Sequence, residues 1–139
     1  VSLNFELVSK EDWRKMSQAA HKYSFGNTRS ADMDRIDYAL VIKKDDELCC
    51  YATIIEIDKE SAYMQHGGNF RPAEGSVITL RGYLMMLNYL KENYKHVSTR
   101  IFNKNKAMLK LAWAGGFTIV GCEVNKVGEL YLVLDLEKT

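Results

Sequence analysis

No apolar run of the ~18 residues needed to cross a bilayer occurs in this 139-residue chain. Val1 to Val8 also lack the basic start and apolar stretch of a secretion signal. The expectation is a soluble, cytoplasmic protein with no membrane partner. Charge of one sign is missing as well: 19 Lys and Arg against 18 Asp and Glu leave a net charge of +1. Such a balance exerts no strong pull on nucleic acid, so partners must be recognised by local chemistry. Cysteine is scarce and unpatterned. Cys49, Cys50 and Cys122 form an odd set without a C-x-x-C pair, which fits a reducing compartment rather than a disulfide framework. Adjacent strand residues face opposite ways, so Cys49 and Cys50 read as buried small hydrophobes and not as joint ligands of a metal. Repeats, low-complexity tracts and linkers are absent too, and residues 1–139 read as one domain. At 47% hydrophobic, a chain of this size buries roughly 70% of the surface its unfolded form exposes.

What is present is a regular alternation of strand and helix signals. Asn4 to Val8 reads as a short strand. Ser9 and Asp12 then make a capping box ahead of Trp13, Met16, Ala20 and Tyr23 at helical spacing, predicting a helix over Lys10–Tyr23. Phe25 to Asp34 is polar and without clear period, either a loop or a weak helix. Tyr38–Lys43 and Leu48–Ile57 read as a hairpin around Lys44–Glu47, followed by a strand over Ser61–Gln65. Val77, Leu80, Leu84, Leu87 and Leu90 recur three or four apart and predict an amphipathic helix over Ser76–Tyr94. Val97–Phe102 is a strand and Lys104–Ala114 a helix ended by Gly115 and Gly116. Phe117–Val124 and Glu129–Leu136 are strands joined by the turn Asn125–Gly128. The order predicts an α/β protein with a single mixed, mostly antiparallel sheet and helices on both faces.

Two segments carry more than fold. Phe70 and Arg71, followed by Pro72, Ala73, Glu74, Gly75 and Ser76, lie between a strand and the long helix. A helix N-terminus offers unpaired N–H groups and roughly half a unit of positive charge, which suits a diphosphate. Equally, Gly75 and Ser76 can simply cap the helix. Further on, Asn105, Leu111, Gly116 and Phe117 place an Asn at the start of a helix that ends in Gly-Phe.

Both segments resemble signatures of the GCN5-related N-acetyltransferase family. The first resembles its pyrophosphate loop: an aromatic residue, Arg or Gln, two residues, Gly, one residue, then Gly or Ala. The resemblance implies an acyl-coenzyme A-binding fold and transfer of acetyl from acetyl-CoA to a primary amine by direct attack. It assigns Phe70, Arg71, Ala73, Glu74, Gly75 and Ser76 to the diphosphate and Asn105 to the pantetheine arm. Gly67 and Gly68 are placed beside the reacting carbonyl, near a strand that splays from its neighbour. Asn103 or Asn105 can alternatively cap the helix, and the two glycines can mark a bulge, a close approach of another backbone or a plain loop. For the base that takes a proton from the attacking amine, His66 is the first candidate and Glu56 the second. The acceptor site is expected along Tyr23–Asp37, where Asp32, Asp34 and Asp37 could receive a cationic amine. A homodimer remains open.

The chain departs from the family pattern twice. Glu74 stands where the loop usually has Gly, and Ala112 where a general-acid tyrosine is frequent. Trp113 beside it reads as a core side chain. The alternative is therefore a catalytically weak module on the same fold that binds CoA or another protein.

Overall fold

The structure, a computed structural model, describes residues 3–20, 35–69 and 77–137. Its elements run β1 (Asn4–Ser9), α1 (Lys10–Ala20), β2 (Tyr38–Lys44), β3 (Glu47–Asp58), β4 (Ser61–Asn69), α2 (Val77–Asn93), β5 (His96–Phe102), α3 (Lys106–Ala114), β6 (Phe117–Val124) and β7 (Leu130–Leu136). The expected order of elements is the observed one.

Local chemistry sets the joints. Ser9 Oγ accepts from the Asp12 amide at 3.2 Å and caps α1. Asp45 and Asp46, with φ of 50° and 63°, turn β2 into β3, the double left-handed geometry that matches strand twist and that Asp tolerates. At the β6–β7 hairpin, Asn125 Oδ1 accepts from the amides of Val127 and Glu129.

The strands form one seven-stranded sheet in the order β1-β2-β3-β4-β5-β7-β6. Every neighbouring pair is antiparallel except β4 and β5. On one face α1 buries Trp13 against Ile36, Ala39, Val41 and Tyr51. On the other, α2 and α3 bury Tyr83, Met86, Leu87, Leu90 and Ala112 against Leu40, Ile42, Ile54, Val97, Ile101 and Leu134. This is the mixed, mostly antiparallel α/β sheet with helices on both faces that the sequence predicts. Each large apolar side chain buried this way contributes about 1.5–3 kcal/mol.

Two packing expectations are corrected. Of the expected α2 stripe, Leu87 and Leu90 are buried, whereas Val77, Leu80 and Leu84 point outward and are 70%, 39% and 37% exposed. The helix is apolar nearly all round, and Gly82 chooses the face. A Cβ there would lie 2.7 Å from Cys50 Sγ and 3.1 Å from Ile42, so only glycine lets the helix approach the sheet so closely. Trp113 likewise is 65% exposed, while its neighbour Ala112 is fully buried. The cysteine reading holds for Cys49 and Cys50, both buried; burial pushes the Cys50 thiol up to about 12. Among the described residues no helix is long and apolar enough to cross a membrane.

Candidate functional site

The site grows out of the one parallel pair. β4 pairs with β5 only over Ser61–Met64, opposite His96–Thr99. Beyond Met64 it stays hydrogen-bonded to β3 as far as Asn69 and, among the described residues, to nothing on its other side. β5 meanwhile continues through Arg100–Phe102 along β7. The two strands therefore fork.

Two local features make the fork. Thr53 opposes His66 while Ile54 opposes Met64, so Gln65 is an extra residue in β4, a bulge. A bulge bends its strand and increases the twist, which carries β4 away from β5. Thr99 Oγ1 donates to the Met64 carbonyl at 3.0 Å in a buried bond and pins the apex. The bulge expected at Gly67 and Gly68 thus sits at Gln65. The glycines realise the other expectation, a close approach: a Cβ on Gly67 would lie 3.2 Å from the Tyr51 carbonyl oxygen, and one on Gly68 2.9 Å from the Tyr51 ring.

A cavity of about 430 Å³ fills the fork. Its walls are Tyr51, His66, Gly67 and Gly68 from the β3–β4 side, Arg100–Phe102 from β5, Thr79, Tyr83 and Met86 from α2, and Asn105, Met108 and Leu111 from α3. A second hollow of about 350 Å³ is lined by Arg35, Ile55, Ile57, Tyr63, Ser98 and Val133. Strand alternation and register put its sheet residues on the face away from α2. Gln65, Thr99 and Arg100 line both hollows, so the two meet at the apex of the fork. Arg100 is steadied there by Glu123, 2.8 Å from its Nε, and lies 5.3 Å over the Tyr63 ring.

Two buried polar atoms in the first cavity have no hydrogen-bond partner among the described residues: His66 Nε2 and Tyr83 Oη. His66 lies beside the Tyr51 ring, 5.9 Å between centroids. Burial holds its imidazole below the ordinary histidine pKa and keeps it neutral at pH 7. Burial raises the Tyr83 phenol and keeps it protonated.

In shape the chain matches a number of solved structures. An acetyltransferase of Bacillus subtilis in complex with CoA superposes with a TM-score of 0.79 at 12% identity, covering 99% of this chain and 100% of that one. The fold is that of the GCN5-related N-acetyltransferases. The yncA protein of Salmonella typhimurium, solved with its cofactor acetyl-CoA, gives 0.69 at 13% identity over 99% and 94% of the two chains. A spermidine N-acetyltransferase chimera from Vibrio cholerae and hSSAT gives 0.73 at 14% over 98% and 95%. No family model and no curated protein sequence matches.

Within this N-acetyltransferase fold the predicted site residues fall into three groups. His66, Gly67, Gly68 and Asn105 come together around the fork. Phe70, Arg71, Ala73, Glu74, Gly75 and Ser76 lie outside the described residues, as do Tyr23, Asp32 and Asp34. Glu56 is placed elsewhere. By register with Ala62 it faces the α2 side, where Tyr94 Oη donates to its carboxylate at 2.7 Å and Tyr38 Oη stands 2.7 Å behind Tyr94. It does not line the cavity. Asp37 is likewise engaged, accepting from the Glu56 amide at 2.7 Å.

Asn105 is the N-cap of α3: its Oδ1 accepts from the Met108 amide at 3.2 Å. The capping alternative is therefore realised, and the same side chain still lines the cavity. Tyr83 was not legible as a site residue. Three residues after Leu80 and four before Leu87, it falls on the leucine stripe and reads as one more core position of the helix.

Proposed function

We propose that the chain is an N-acetyltransferase that takes acetyl-CoA in the fork and a primary amine in the hollow on the other face. The observation that carries this reading is the meeting of two hollows at Gln65, Thr99 and Arg100, which lets two substrates touch only through the apex. The residues present suit a pantetheine arm. Gln65–Asn69 has a strand edge free of other described strands, able to exchange backbone hydrogen bonds with an amide-bearing chain, and Met86, Met108 and Leu111 give apolar walls. The diphosphate is assigned to the loop Phe70–Ser76 that leads into α2.

Bound acetyl-CoA supplies the activated acetyl group. The chain's own part is to hold the amine against it, and such positioning alone supplies much of the rate enhancement in group transfer. As the amine nitrogen bonds to the acetyl carbon, His66, neutral and with Nε2 unengaged, takes the proton that the amine loses, and the C–S bond breaks to release coenzyme A as a thiolate that takes its proton from solvent. Arg35 and Arg100 line the second hollow, the charge of Arg100 being paired with Glu123; Asp32 and Asp34, the expected partners of a cationic amine, belong to the segment outside the described residues.

One observation favours a second reading, a CoA-binding module with little catalysis. Position 112 carries a fully buried alanine and has no proton to give. Binding and transfer separate the two. Acetyl-CoA at about a hundred times its dissociation constant should stabilise the fold by ~2.7 kcal/mol, a melting rise on the order of 2–8 °C. Thiol release with a panel of amines then reports transfer. Absence of any melting shift at millimolar acetyl-CoA overturns both readings; a shift without transfer leaves the second.

A further inference from the structure

Tyr83 is 4% exposed and lines the fork cavity, and its buried hydroxyl bonds to no described group. A buried hydroxyl without a partner costs free energy that evolution removes cheaply, since phenylalanine has the same shape. We propose that Tyr83 Oη is the hydrogen-bond donor of the fork to the pantetheine-thioester arm of the acyl donor, a ligand contact contributed by α2. The proposal rests on the reading of the fork as the acyl-donor site.

The neighbourhood fits an arm and not the adenosine end of such a ligand. Tyr83 rises from the row Thr79, Tyr83, Met86, and Met86 together with Met108 and Leu111 of α3 gives this part of the cavity apolar walls. Its ring sits against the end of α3, where a Cβ on Gly115 would lie 3.0 Å from Cε2. This is one turn beyond the buried Ala112, so a large side chain from α2 borders the place where α3 offers only a methyl group. The phenol keeps its proton at any physiological pH because burial disfavours the phenolate. Its role is therefore to donate a hydrogen bond, not to transfer the proton.

The test uses the full chain and Tyr83→Phe, with coenzyme A and adenosine 3′,5′-bisphosphate as calorimetric probes and thermal melting of the ligand-free proteins alongside. Removing an orphaned hydroxyl leaves the melting temperature unchanged or raised, whereas loss of a structural bond lowers it. The expected result is coenzyme A bound about 2- to 12-fold more weakly by the variant, the bisphosphate bound equally, and no fall in melting temperature. Equal coenzyme A affinity in the two proteins overturns the Tyr83 assignment while leaving the fork as a CoA site. Equal loss for both probes also overturns it, because the contact is then not with the arm. No coenzyme A binding by the unaltered protein removes the site reading and this inference together.

Discussion

The two halves of β4 differ although they belong to one strand. Ser61–Met64 is hydrogen-bonded on both sides, to β3 and to β5, and its Ala62 and Met64 are buried in the main core. Gln65–Asn69 is bonded to β3 alone among the described strands and carries a bulge, two glycines and a histidine whose Nε2 finds no partner. The first half satisfies every rule of a central strand. The second breaks several at once, and an unsatisfied edge with an unsatisfied buried nitrogen is what a strand looks like when a ligand completes it. The two halves part at a definite bond, the one from Thr99 to the Met64 carbonyl.

The largest expected effect lies in the open half. His66→Gln should lower turnover roughly 10²–10⁴-fold with a good amine acceptor. In the unaltered protein the rate should rise with pH through a pKa below the ordinary histidine value, because burial lowers it, and the variant should lack that limb. Stability follows the same sign. The depressed folded pKa means that neutral His66 contributes fully above the unfolded value of 6.5, and the contribution is lost as pH falls below it toward the folded value. Melting curves of the variant should therefore fall less steeply on the acid side. An identical pH–rate profile in His66→Gln would take the base role away from His66. Glu56→Gln, altering the Tyr94 network only, should keep the limb.

Next in size is the apex. Thr99→Val preserves shape but removes the donor to the Met64 carbonyl, which should cost about 1–3 kcal/mol in urea unfolding if that buried acceptor finds no substitute. Activity should suffer with it, since the same bond sets where the strands part. A variant as stable as the parent would show that the fork is held by the bulge alone. The smallest effect is at the rim. Asn105→Ala removes the α3 cap and should cost ~1 kcal/mol of stability; the cap then belongs to Asn105 and not to Asn103. Any additional fall in CoA affinity, read by calorimetry, would report a second role in the cavity that it lines. Lower stability with unchanged affinity would make Asn105 a cap only.

Much of this was legible beforehand. Strand and helix order followed from periodicity and turn chemistry, and His66, Gly67, Gly68 and Asn105 do gather at one cavity. The full length of β4 was not legible, because Gly67 and Gly68 interrupt the alternation that marks a strand, and its pairing with β3 continues through backbone bonds that glycine makes as well as any residue. The buried face of α2 was legible at Leu87 and Leu90 but not at Val77, Leu80 and Leu84, because a helix apolar on most sides has no unique phase; a close contact at Gly82 decides it. Tyr83 escaped notice because it falls among the core positions of that stripe. Glu56 looked available as a carboxylate on a central strand, and only the long-range approach of Tyr94 shows that it is engaged.

The parallel ladder of Ser61–Met64 with His96–Thr99 also has a kinetic meaning. β1 to β4 are linked by antiparallel neighbours, and β6–β7 is a hairpin of its own. The β4–β5 ladder closes only after the chain has passed through all of α2, and β1–β2 and β5–β7 join residues about as far apart in sequence. Pairings of such long sequence separation carry the greater loop-closure entropy and form late. Of these late ladders the β4–β5 seam is the shortest. Denaturant that loosens this seam first would open the fork while most of the backbone protection against hydrogen exchange survives.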